Sequence, residues 1–244
     1  MCVSHKIPSI MSEYRRRIRS FVRRNGRLSA AQEHALTNYR SNYCIELTDS
    51  MLDYENVFHN NNPVIIEIGF GMGHATIELA EKFPNYNFLG IEVHTPGVGK
   101  VLDEIHKRQI KNLKVLQTDA VDVLEQMIPQ NSVTGFHIFF PDPWPKKKHH
   151  KRRLLQLEFV HKLTLRLCTG GYIYAATDWE EYAEQMLKVV SEEPLLSNPF
   201  KSYASDIDWR PKTSFERKGE VKQHHIREVW VEKIRDENQK SVDC

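Results

Sequence analysis

The 244-residue sequence is 40% hydrophobic, enough to bury one sizeable core, and its longest apolar stretches, such as Val64-Ile65-Ile66 and Phe136 to Phe140, are too short to cross a bilayer. A formal charge of +2 hides an asymmetry: residues 1–27 carry eight Lys/Arg against Glu13 alone, residues 146–153 carry six against none, and the rest holds 20 basic and 31 acidic residues. Charge concentrated in this way suits a polyanionic partner, and four scattered cysteines without a Cys-x-x-Cys pair point away from a zinc or redox centre and toward a reducing cytoplasm.

The first dozen residues show no periodicity, and the Arg-rich stretch from Glu13 to Arg27 lacks the serine content of a transit peptide. It runs into Ser29 to Leu36, which reads as a short helix, so residues 1–36 are taken as a basic N-terminal extension, 37–235 as one α/β domain and 236–244 as a polar tail. From residue 63 strands and helices alternate, the pattern of a parallel sheet covered on both faces. Val64 to Ile68 is the first strand. Helix His74 to Phe83 stops before Pro84, and Asn87 to Val93 is the second strand. Thr95 is expected to cap the next helix with Pro96 at its first position, placing Val98, Val101, Leu102 and Ile105 on one face. Leu113 to Gln117, Gly135 to Phe140 and Tyr172 to Ala176 continue the strands, Val121 to Met127, Leu154 to Leu167 and Glu180 to Glu192 the helices, with Gly170-Gly171 as a break. Val229-Trp230-Val231 supplies a late strand.

In an open parallel sheet ligands bind beyond the carboxyl ends of the strands. Gly69, Gly71 and Gly73 occupy the turn after the first strand, where glycine lets a ligand approach the backbone. The dinucleotide fingerprint wants Gly-x-Gly-x-x-Gly, whereas this turn reads Gly-x-Gly-x-Gly and begins at Glu67, an acid that would repel a pyrophosphate and welcome a sulfonium and its amino group. The expected cofactor is S-adenosylmethionine. Glu92 and Asp119 end the next two strands, suited to ribose hydroxyls and an adenine amino group; singly each reads as readily as a solvated loop residue or helix cap.

The fourth strand leads into Phe140-Pro141-Asp142-Pro143-Trp144-Pro145-Lys146. A rigid Pro-rich turn is the plain reading. Such a turn also holds Asp142 and Trp144 in fixed directions, as a pocket for an extruded base requires, with Trp144 stacking on the base or walling it in and Asp142 accepting from the base edge. Lys146-Lys147-Lys148-His149-His150-Lys151-Arg152-Arg153 follows. Placed beside the reacting end, Lys148, His149, His150, Lys151, Arg152 and Arg153 are expected to meet RNA, although a solvated run has the same composition. No metal site is expected from the adjacent histidines.

These residues resemble the bacterial tRNA (guanine-N7)-methyltransferase family: Glu67 to Gly73, Gly90 to His94, Phe140 to Arg153, Thr177-Asp178-Trp179 and Thr213-Ser214-Phe215-Glu216 match its motifs in order, over roughly residues 15 to 234. The resemblance implies a class I methyltransferase sandwich with a mostly parallel seven-stranded sheet, Glu67, Glu92, Asp119 and Asp142 around the cofactor, and Asp142 in the catalytic position. It also implies substrate contacts at Lys146, Asp178, Thr213, Ser214, Phe215 and Glu216. A variable-loop guanine of tRNA is the implied target, with monomer and homodimer both open. Another RNA base, or a catalytically silent RNA-binding module, is the alternative.

Overall fold

The computed structural model describes residues 18–21, 26–212, 216 and 225–235. In chain order the elements are α1 (Ala30–Asn38), α2 (Arg40–Tyr43), β1 (Cys44–Ile45), α3 (Tyr54–Phe58), β2 (Val64–Ile68), α4 (His74–Lys82), β3 (Asn87–Ile91), α5 (Thr95–Arg108), β4 (Leu113–Leu116), α6 (Ala120–Gln126) and β5 (Val133–Phe139). A 3-10 helix over Lys147–Arg152, α7 (Leu157–Arg166), β6 (Leu167–Thr177), α8 (Glu180–Ser191), β7 (Leu196–Ser197) and β8 (Arg227–Lys233) complete them. The strands form one sheet in the order β1-β4-β3-β2-β5-β6-β8-β7, parallel except that β8 runs antiparallel to β6 and β7. The sheet has eight strands where the resemblance implied seven: the six marked in the sequence are joined by β1 and β7, two-residue pieces at its two edges that are too short to leave a period-2 signal.

Every residue of β2 and β3 is buried, as strands covered on both faces must be. Alternate side chains feed two cores: Ile66, Ile68, Leu89 and Ile91 join one, Ile65, Phe88 and Val115 the other. Helix α5 buries Val98, Val101, Leu102 and Ile105 as its spacing predicts, and its last turn carries His106, Lys107 and Arg108, which complement the helix dipole. Its cap is His94 rather than Thr95, which is the first helical residue.

Three expectations change. The helix expected from Leu154 begins at Leu157, because the chain is still leaving the 3-10 helix that ends at Arg152. Gly170 and Gly171 lie inside β6, where the pairing with β5 jumps from Val133–Leu167 to Gly135–Tyr172 and Gly170 takes φ 80°; they form a bulge, and the helix ends before them at Arg166. The boundary drawn at residue 36 falls within α1, which packs on α5 through buried Ala35 and a hydrogen bond from Gln32 Nε2 to Pro96 O, so α1 belongs to the folded unit.

Candidate active site

At the carboxyl ends of β2 to β5 lies a cleft of about 230 Å³, bounded by Gly69, Gly71, Glu92, Asp119 and Phe140 to Asp142, among others. Gly69 and Gly71 take φ of 76° and 56°, and a Cβ built on either would meet nothing within 4 Å, so the turn presents bare backbone to an open space. Gly97, at the start of α5, closes the far side of the same turn: a Cβ there would lie 1.9 Å from Gly71 O.

The acids divide. Glu92 Oε1 accepts from the backbone N–H of Val93 and His94 at 2.6 and 2.9 Å, and Oε2 from that of Gly71 at 2.7 Å, so the carboxylate ties the first two strand-end turns together. Three of its roughly four acceptor sites are then engaged, leaving room on Oε2 for one ribose hydroxyl rather than two. Asp119 lines the cleft and caps α6, its Oδ1 accepting from Val121 N at 3.1 Å. Glu67 does not reach the cleft lining: it is 3% exposed, and its Oε2 accepts from Thr76 Oγ1 at 2.8 Å. Burial pushes its carboxyl up to about 7, with Thr76 opposing the rise and Glu92 adding to it. Burial and the Thr76 hydroxyl of α4 thus hold this carboxyl behind the turn, where its charged form is disfavoured.

Asp142 is exposed at the cleft mouth, flanked by two residues forced into left-handed backbone, Phe140 at φ 54° and Trp144 at φ 45°. The loop is held from several sides. Phe140 N donates to Ala176 O at 2.8 Å, Trp144 Nε1 to Ser20 O at 2.9 Å, and Arg153 Nε to Pro143 O at 2.8 Å. Arg152 stacks 4.1 Å from the Trp144 ring centroid, and its Nη2 donates to Phe21 O at 3.2 Å. One face of Trp144 is thus covered by the Arg152 guanidinium.

A family model described as "Putative methyltransferase" matches residues 61–229. A tRNA (guanine-N(7)-)-methyltransferase of Nitrosospira multiformis is 49% identical over 215 residues, covering 88% of this chain and 93% of the relative. One from Neisseria meningitidis serogroup C is 47% identical over 220 residues, covering 90% and 92%. The chain belongs to the tRNA (guanine-N(7)-)-methyltransferase family. The crystal structure of the 16S rRNA methyltransferase KamB superposes with a TM-score of 0.57 at 13% identity, covering 76% of this chain and 95% of that one, which shows the shared class I methyltransferase fold.

Within this family fold the structure gathers Gly69, Gly71, Glu92, Asp119 and Asp142 at one cleft, with Gly73 buried behind it as the residue before α4. Asp178 leaves β6 beside the strand that carries Asp142 and is exposed; the residue that precedes α8 is Trp179, so Asp178 is not its cap. Lys146, Lys148 and Lys151 are exposed, but Arg153 is 3% exposed and turned inward, which removes it from the RNA-facing set. Glu216 is 5% exposed and its oxygens accept from Arg210 Nη1 and Nη2 at 2.6 Å each, so its carboxylate is engaged by an arginine. Thr213, Ser214 and Phe215 lie outside the described residues.

Sequence reasoning missed Arg210. Its guanidinium also meets Glu228 and Tyr174 Oη and lies over Phe139 and Phe140, at 5.5 and 5.9 Å from the ring centroids, buttressing the strand end that delivers Asp142. A lone arginine in a loop carries no periodic signal; only the pairing with Glu216 and Glu228 singles it out.

Proposed function

We propose that this chain transfers the methyl group of S-adenosylmethionine to N7 of a variable-loop guanine in tRNA. The observation that carries the reading is the convergence, at one cleft, of an open glycine turn, two strand-end acids and Asp142, in a chain nearly half identical to named tRNA (guanine-N(7)-)-methyltransferases. The residues fit the cofactor: Gly69 and Gly71 leave backbone exposed to it, Glu92 keeps one acceptor for a ribose hydroxyl, and Asp119 stands at the end of the next strand. When bound, the cofactor supplies an electrophilic sulfonium methyl.

Guanine N7 carries an in-plane lone pair and loses no proton on methylation, so positioning is the main demand on the protein. Asp142 accepts from the guanine N1/N2 edge, aims N7 into the cleft, and stabilises the positive charge that develops on the purine. Asp178, on the neighbouring strand end, and Lys146, at the exit of the loop, are assigned to the substrate side, and Lys148 and Lys151 to the RNA backbone. Unmodified tRNA incubated with the protein and cofactor, digested and analysed by nucleoside mass spectrometry, is expected to yield 7-methylguanosine. A different methylated nucleoside would select another RNA base as target, and no product would select a silent RNA-binding module.

A further inference from the structure

Lys147 to Arg152 form a 3-10 helix, and three residues per turn eclipse the side chains at i and i+3. The basic tract therefore has distinct faces. His149 and Arg152 turn toward Trp144, the imidazole edge-on at 5.8 Å and the guanidinium stacked at 4.1 Å. Lys148 and Lys151 turn outward and are exposed. His150 and Arg153 turn inward toward α8.

Arg153 carries a buried charge, which a protein tolerates only where partners replace water. Its Nε donates to Pro143 O at 2.8 Å, Nη1 to Gln185 Oε1 at 2.6 Å and Nη2 to His150 Nε2 at 3.1 Å; Glu181 Oε2 lies 3.9 Å from Nη2, and the guanidinium carbon stands 4.9 Å from the Tyr182 ring centroid. Gln185, Glu181 and Tyr182 all belong to α8. Pro143 adjoins Asp142, inside a loop whose two left-handed residues, Phe140 and Trp144, keep that conformation only where their surroundings impose it. One side chain thus fastens the loop to a helix packed into the main core.

We propose that Arg153 is a positioning residue for methyl transfer: its guanidinium pins the Pro143 carbonyl against α8 and so fixes Asp142 at the cleft, while phosphate contact falls to the outward Lys148 and Lys151. This rests on the role given to Asp142 above. The full-length Arg153→Lys and Gln185→Leu variants test it, because a lysine cannot span both partners and the leucine removes one of them. At saturating tRNA and cofactor, the single-turnover rate of Arg153→Lys is expected to fall roughly tenfold or more. Its tRNA affinity and salt dependence should stay within about twofold of wild type, and Gln185→Leu should show a smaller loss of rate. Lys151→Ala, by contrast, should weaken tRNA binding and reduce the salt slope by about one.

A wild-type rate in Arg153→Lys, or a loss of affinity and slope in step with Lys151→Ala, would overturn the proposal. If Arg153→Lys does not fold, Gln185→Leu at the wild-type rate overturns it alone. Wild-type protein that makes no 7-methylguanosine would refute the functional reading instead. The anchor is then read from acrylamide quenching of Trp144, taken as the difference from a Trp144→Phe background: greater access in Arg153→Lys supports the anchor, and unchanged access overturns it.

Discussion

Glu67 sits beneath the glycine turn with a carboxyl held near 7 by burial, well above its ordinary 4.5. Below the lower value folded and unfolded chains both keep the proton. Between the two the unfolded chain releases it first, so stability declines as pH rises, by on the order of 3 kcal/mol once the folded group has ionised. Glu67→Gln keeps an acceptor for Thr76 and removes the titration. Melting curves from about pH 5 to 8 should show wild type losing Tm relative to this variant; two parallel profiles would contradict the buried-acid reading. Asp142 differs, exposed at the cleft and fixed by its neighbours instead of by burial. Asp142→Ala should lower turnover by about 10²–10³-fold with cofactor affinity changed only slightly, measured by single-turnover kinetics and calorimetry. Full single-turnover activity would remove its assigned role.

The first two strand-end turns behave as one element, joined by the Glu92 carboxylate and by the close approach of Gly97 to Gly71 O. Gly97→Ala must push the Gly71 carbonyl aside, at an overpacking cost of about 1–3 kcal/mol. Titration calorimetry should record cofactor affinity falling roughly tenfold with tRNA affinity retained; unchanged cofactor binding would show that the turn yields without cost. The alternation of β2 to β6 with their helices was legible because parallel strands are apolar throughout and α5 repeats its apolar residues at helical spacing. The Lys146–Arg153 tract was not legible, since its charges read as one RNA-facing run whereas a 3-10 period splits them between solvent, Trp144 and α8. Glu67 was placed at the site by its position before the glycine turn and Glu216 by the family resemblance, but burial against Thr76 and pairing with Arg210 decide what each touches in this structure, and neither leaves a mark in spacing.

Across the whole molecule, positive charge is gathered in residues 1–27 and 146–153 against an acidic remainder. Of the second segment, Lys146, Lys147, Lys148 and Lys151 are exposed, and they lie beside the loop that carries Asp142. Among the described residues no helix is long and apolar enough to cross a membrane. Binding to tRNA should weaken steeply with salt, log K falling against log salt with a slope of about 0.7 to 0.9 per neutralised phosphate, and a flat response would exclude a phosphate grip. The central claim, that this cleft methylates N7 of one guanine, is tested most directly on the RNA itself. Unmodified tRNA treated with protein and cofactor is reduced with borohydride and cleaved with aniline, which cuts the chain where guanine carries an N7 methyl group. The prediction is a single cut, in the variable loop; no cut, or cuts at guanines elsewhere, would contradict it.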